Sequence, residues 1–153
     1  APIFSLDATN TIRAINELQS FIDRYPLSSN IKNCNELIDE LRSKLSEKDF
    51  ENAKQYFTTS NYKSAIIALD NVLIDFPSFN NREEVHFLIV KSTYLLAINS
   101  ISIKVKARLE ATLEAYTHFE DNYPKSKYLK ELKSTYLKTE STLIELNKKS
   151  DEI

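Results

Sequence analysis

Apolar side chains recur along this chain at intervals of three and four, with polar residues between them, from the region of Thr9 to that of Lys148. That is the period of amphipathic helices, and no stretch keeps the two-residue alternation of a half-buried strand. The pattern predicts helices near 9–24, 29–59, 62–75, 81–99, 105–122 and 127–148, with a loop at "NSISIK" before the fifth. The second helix is the unusual one. Ile31, Cys34, Ile38, Leu41 and Leu45 share one face, after which the apolar positions restart at Phe50, Ala53 and Phe57. No Pro or Gly interrupts the stretch, so it reads as one long helix whose buried face rotates between two different neighbours. Asn80 with Glu83, and Ser126, are expected N-caps; Glu83 and Glu84 suit a positive helix end, and Lys148 and Lys149 a negative one.

Three of these helices end alike. "AINELQSFIDRYP", "AIIALDNVLIDFP" and "TLEAYTHFEDNYP" stop at Pro26, Pro77 and Pro124, each preceded by an aromatic: Tyr25, Phe76 or Tyr123. Counting back from each proline, Ala14, Ala65 and Thr112 are equivalent, as are Leu18, Leu69 and Tyr116, and Phe21, Val72 and Phe119. The small residue lets an antiparallel helix approach closely while the larger ones fill the shared groove, and the proline ends the helix. The expected fold is therefore all-α, a short solenoid of stacked helical hairpins forming a single domain over 1–153. Within it, 1–28 ends one repeat, 29–78 holds the long helix and the second helix of the next, 79–125 is the last repeat, and 126–153 caps the array.

Composition removes most competing functions. The chain has 153 residues, no glycine, one cysteine and a formal net charge of -2. Without glycine there is no phosphate-cradling loop and no dinucleotide fingerprint. The near balance of charge offers no overall field for nucleic acid or an anionic membrane, and no apolar run approaches a bilayer span. The chain also lacks methionine, so Ala1 is expected to arise by processing or by cutting a longer protein.

Candidate chemistry is sparse. His86 and His118 lie 32 residues apart with no ligand partner at metal-site spacing, so both are expected to be structural. Cys34 sits on the apolar face with Ile31 and Ile38 and reads as a packed or interface thiol. Carboxylates alternate with lysines along helices, as on a solvated face. The lysines at 125, 127, 130, 133 and 138 fit the polar outer face of a terminal helix, the alternative being a face toward acidic lipid or an acidic partner. No constellation supports an enzyme, and no cofactor or metal is expected.

The repeated unit resembles the tetratricopeptide repeat. Tyr62, Ala65, Leu69, Val72 and Pro77 stand at the offsets of its second helix, with Ala53 and Tyr56 in the preceding one. The prolines are 51 and 47 residues apart, however, against a usual period of roughly 34, so each unit carries extra chain. The longer order of "RYP", "LRSKL", "FENAKQYF", "NYKSAI" and "NYPKSKYLKE" is similar to the C-terminal half of the BamD-like family of Gram-negative outer-membrane assembly lipoproteins. That resemblance implies a non-enzymatic periplasmic scaffold that docks on the POTRA region of a BamA-like protein and meets other assembly subunits. It also implies a lipid anchor and a substrate-receiving half N-terminal to this segment. The alternative is another tetratricopeptide adaptor, periplasmic or cytoplasmic, binding a peptide or protein. For docking, the turn "SFNNRE" offers Phe79 and Arg82, and the turn "TTSNYK" at the other end of the same helix offers Tyr62 and Lys63. Aromatic plus basic is the usual composition of an interface anchor. The competing role for Phe79 is a staple against the next helix.

Overall fold

A computed structural model describes residues 8–151; Ala1 and the last two residues of the capping segment lie outside the described residues. Six helices follow one another: α1 (Ala8–Arg24), α2 (Ile31–Thr58), α3 (Tyr62–Asp75), α4 (Arg82–Ile98), α5 (Ser102–Asn122) and α6 (Leu129–Asp151). Each packs on the next, and α2 also meets α4, as α4 meets α6. Short turns make neighbours antiparallel. The result is an array of stacked hairpins of tetratricopeptide type, with the proline turns at one end and the α2–α3 and α4–α5 turns at the other.

The three proline turns share one backbone pattern. The aromatic N–H of Tyr25, Phe76 and Tyr123 donates to the carbonyl four residues back, at 2.9, 3.1 and 2.8 Å. The aromatic carbonyl then accepts from the N–H of Ser28, Phe79 or Ser126 at 3.0 Å in every case. Pro supplies a fixed φ at the reversal and has no N–H to leave unpaired. Pro26, Pro77 and Pro124 themselves stay exposed.

Helix α2 runs its 28 residues without reversal, about 42 Å at ~1.5 Å per residue. Its first half buries Cys34 and Ile38; its second half buries Phe50 and Ala53 in a cluster with Leu69, Val72, Phe79, Val85 and Leu88. It ends in a Schellman closure, with Ser60 N–H donating to Phe57 O and Asn61 N–H to Tyr56 O. Ser60 takes φ 61° there, the left-handed geometry that glycine usually fills. A second cluster joins Val90, Tyr116, Phe119 and Leu132, and a third joins Ala97, Leu109 and Leu143.

Several residues sit differently from the sequence expectation. Ala65, Leu69, Val72, Ala53, Tyr116 and Phe119 are buried, but Ala14, Leu18 and Phe21 are only half-buried. Helix α1 has no buried residue because it packs against α2 alone, and a repeat position is buried only when helices close over it from both sides. Tyr56 is 43 % exposed: Phe57, one position on and about 100° around the helix, takes the place against the core. Helix α5 begins at Ser102 rather than Val105, so the second half of "NSISIK" is helix and the connection is a tight turn. Helix α4 starts after Asn81, with no side-chain cap. Ser126 Oγ accepts from Tyr128 N–H at 3.0 Å, which closes the turn ahead of α6 rather than capping the helix itself.

Candidate functional site

Docking sites on a helical array are built from turns and exposed helix ends, and the α3–α4 turn is the first candidate. It does not present its aromatic. Phe79 is 8 % exposed and meets the Phe50 ring edge-on, centroids 5.3 Å apart. The Arg82 guanidinium turns back to donate to Leu73 O at 3.0 Å and Phe76 O at 3.3 Å. A cation there satisfies the Leu73 carbonyl, which Pro77 cannot serve because it has no N–H, adds a second donor to Phe76 O beside Phe79 N–H, and sits at the negative end of the α3 dipole. The anchor roles expected of Phe79 and Arg82 are thus replaced by a staple and a helix-end clamp. One sequence signal bears on this: the equivalent residue in the other two turns is serine, Ser28 or Ser126, so Phe79 is the odd member, and its partner Phe50 lies on a different helix.

The α2–α3 turn is the second candidate. Tyr62 is half-buried, its ring edge-on to Phe57 at 5.9 Å, and its hydroxyl donates to Ser60 Oγ at 3.3 Å. Lys63 is exposed, and Tyr56 projects on the same end of the array. This turn therefore holds one fixed aromatic, one projecting aromatic and one free-standing cation around a rigid backbone closure.

Two concave regions accompany these turns. Between α1 and α2 an open groove is lined by Leu18, Phe21, Cys34, Leu37 and Leu41. Against the middle of α2, the α3–α4 turn forms a polar cleft of ≈ 510 Å³ with Asp39, Arg42, Glu47 and Asp75 among its walls. Both lack a nucleophile paired with a base. Burial raises the carboxyls of Asp49 and Asp70 above their usual range, but neither stands beside a histidine or cysteine that would give the shift a catalytic use.

The fold does bring the two histidines together. His86 on α4 and His118 on α5 have ring centroids 5.1 Å apart, and Tyr123 lies 5.7 Å from His86. Burial, with His118 and Arg82 nearby, pushes His86 down to about 4, so it is neutral at neutral pH. The Asn122 amide nitrogen lies 3.3 Å from His118 Nε2. Among the described residues no three His, Cys, Asp or Glu side chains gather in a way that could hold a metal. Tyr116, pushed up to about 12 by burial and its hydrogen bond to Glu120 at 2.9 Å, is a core residue. No helix among the described residues is long and apolar enough to cross a membrane.

These features describe a helical array with aromatic and basic side chains at its turns and, among the described residues, no nucleophile paired with a base. No curated protein matches the chain. The model of a protein family described as "YfiO: Outer membrane lipoprotein" matches residues 3–109, which takes in α1 to α4 and the start of α5. The match covers more than half of the sequence, and the chain belongs to the YfiO outer membrane lipoprotein family, the family of BamD.

Proposed function

We propose that this chain is the docking half of an outer-membrane assembly lipoprotein, a non-enzymatic array that binds the POTRA region of a BamA-like protein at the periplasmic face of the outer membrane. On this reading the lipid anchor and the substrate-receiving repeats belong to a part N-terminal to it. Family membership supports the assembly role. The observation that carries the docking step is the α2–α3 turn, where Tyr56, Tyr62 and Lys63 stand on a backbone already closed by hydrogen bonds. A surface formed before binding has little conformational entropy to lose, and aromatic side chains beside a cation are effective anchors.

Calorimetric titration of the folded chain with the POTRA domains of its own BamA-like protein tests this. Saturable binding is expected, weakened at least about tenfold by Tyr62→Ala combined with Lys63→Glu, with helicity unchanged. Absence of binding at high micromolar concentration by the folded chain refutes docking and leaves the adaptor for another partner.

A further inference from the structure

The α4–α5 turn inverts the usual arrangement of a surface turn. Its polar groups bond inward. Asn99 donates to Leu95 O through its backbone N–H at 3.2 Å and its side-chain amide at 2.7 Å, and Ser100 N–H donates to Ala97 O at 3.1 Å. The Ser100 hydroxyl donates to Leu96 O and accepts from the Arg108 guanidinium, so the turn is clasped onto α5. Its apolar groups point outward. Ile98 is exposed, Ile101 is 68 % exposed and Ile103 84 %.

Charge along the sequence of the turn and its flanks has one sign. From Val85 to Leu109 there is no carboxylate, while Lys91, Lys104, Lys106 and Arg108 fall inside the stretch. Lys91 is engaged by Glu131 at 2.7 Å and Arg108 by Ser100. Lys104 and Lys106 are exposed and have no ion pair among the described residues. Leu143 and Leu146 pack with Ala97, Val105 and Leu109, which brings the end of α6, with Glu145 and then Lys148 and Lys149, to the same side.

We propose that the α4–α5 turn is a lipid contact: Ile98, Ile101 and Ile103 enter the headgroup boundary of an anionic leaflet while Lys104 and Lys106 meet its phosphates. Apolar tips flanked by lysines are the make-up of interfacial membrane contacts. The Asn99 and Ser100 part of the turn suits that environment, because polar groups already paired lose less on leaving water, while the first N–H groups of α5, which has no side-chain cap, face the headgroups and their acceptors. The isoleucines are half or more exposed at the tip of the array, a projection that a deformable bilayer can take up without a shaped pocket. An outer membrane lipoprotein works within reach of such a surface. The inference rests on family membership and this turn, independently of POTRA docking.

The protein contains no tryptophan, so Ile101→Trp creates a unique reporter at an exposed position. With vesicles of phosphatidylethanolamine and phosphatidylglycerol, its emission is expected to shift to the blue and to be quenched by lipids brominated on the acyl chain. In vesicle flotation, binding of the parent chain is expected to fall with salt. It should exceed that of an Ile101→Ser, Ile103→Ser double variant at least about tenfold, with both equally helical. An unshifted emission at millimolar lipid overturns the proposal, as does equal flotation of the double variant. A shift elicited by POTRA domains and not by vesicles also overturns it, and reassigns the turn to a protein interface.

Discussion

Replacing Phe79 by alanine separates its two possible roles. Its ring lies among Phe50, Leu69, Val72, Val85 and Leu88, leaving 8 % of its surface to solvent. A fully enclosed Phe→Ala change costs about 3–5 kcal/mol. Phe79 sits at a turn, where the chain can partly collapse into the space, so about 3 kcal/mol is the appropriate figure. For a chain of this length each kcal/mol lowers Tm by about 2–4 °C, which makes a fall of about 6–12 °C. Thermal unfolding followed by circular dichroism at 222 nm reads this directly, and Phe79→Leu, which keeps most of the volume, is expected to lose less than half as much. Titration with POTRA domains well below the new midpoint is expected to give parental affinity. A Tm within about 2 °C of the parent, together with a tenfold loss of binding, would refute the staple and restore the anchor.

Other expectations follow from single contacts. Arg82→Met keeps the aliphatic stem but loses both bonds to the end of α3; a loss of about 1–2 kcal/mol is expected by urea denaturation, and Arg82→Lys should recover only part of it because its side chain ends one bond short of the Nη1 that makes both contacts. Ser60→Gly relieves a left-handed backbone that costs about 1–2 kcal/mol. Against the greater freedom of unfolded glycine, a net gain of about 0.5–1 kcal/mol is expected, and a fall in the urea midpoint would contradict the Schellman closure. His86 is held at about 4 in the fold against an ordinary 6.5, so between those values the unfolded chain binds the extra proton. Its stabilising contribution is complete above about pH 6.5 and is lost as pH falls toward 4. Discounted for its solvent exposure this amounts to about 1–2 kcal/mol. His86→Gln is expected to flatten that part of the stability profile, and an unchanged slope would show that the burial of His86 has no thermodynamic consequence.

Much of the architecture was legible in one dimension because helices are local. A 3.6-residue period, the absence of strand alternation and the recurring aromatic-proline stops each depend on residues within one or two turns of one another. The same holds for α2: the shift of its apolar face after Leu45 needed no partner to be seen, and the helix runs unbroken across it. Family-like residues were likewise readable, since "FENAKQYF" and "NYKSAI" are linear patterns.

What a side chain does once the helices are stacked was decided elsewhere. Phe79 and Arg82 look like an exposed anchor when read along the turn, and only the approach of Phe50 on α2 and the carbonyls at the end of α3 turn them inward. Tyr56 and Phe57 are adjacent aromatics whose fates differ by about 100° of helix rotation, a choice made by where α3 and α4 lie. Ala14 and Ala65 are equivalent in sequence, yet Ala65 is enclosed and Ala14 is not, because α1 packs against one helix where α3 packs against two. His86 and His118 stand 32 residues apart and meet only across the α4–α5 contact. Local periodicity is a property of the chain. Burial, pairing and exposure are properties of the distances between helices, and those appear only when the array closes.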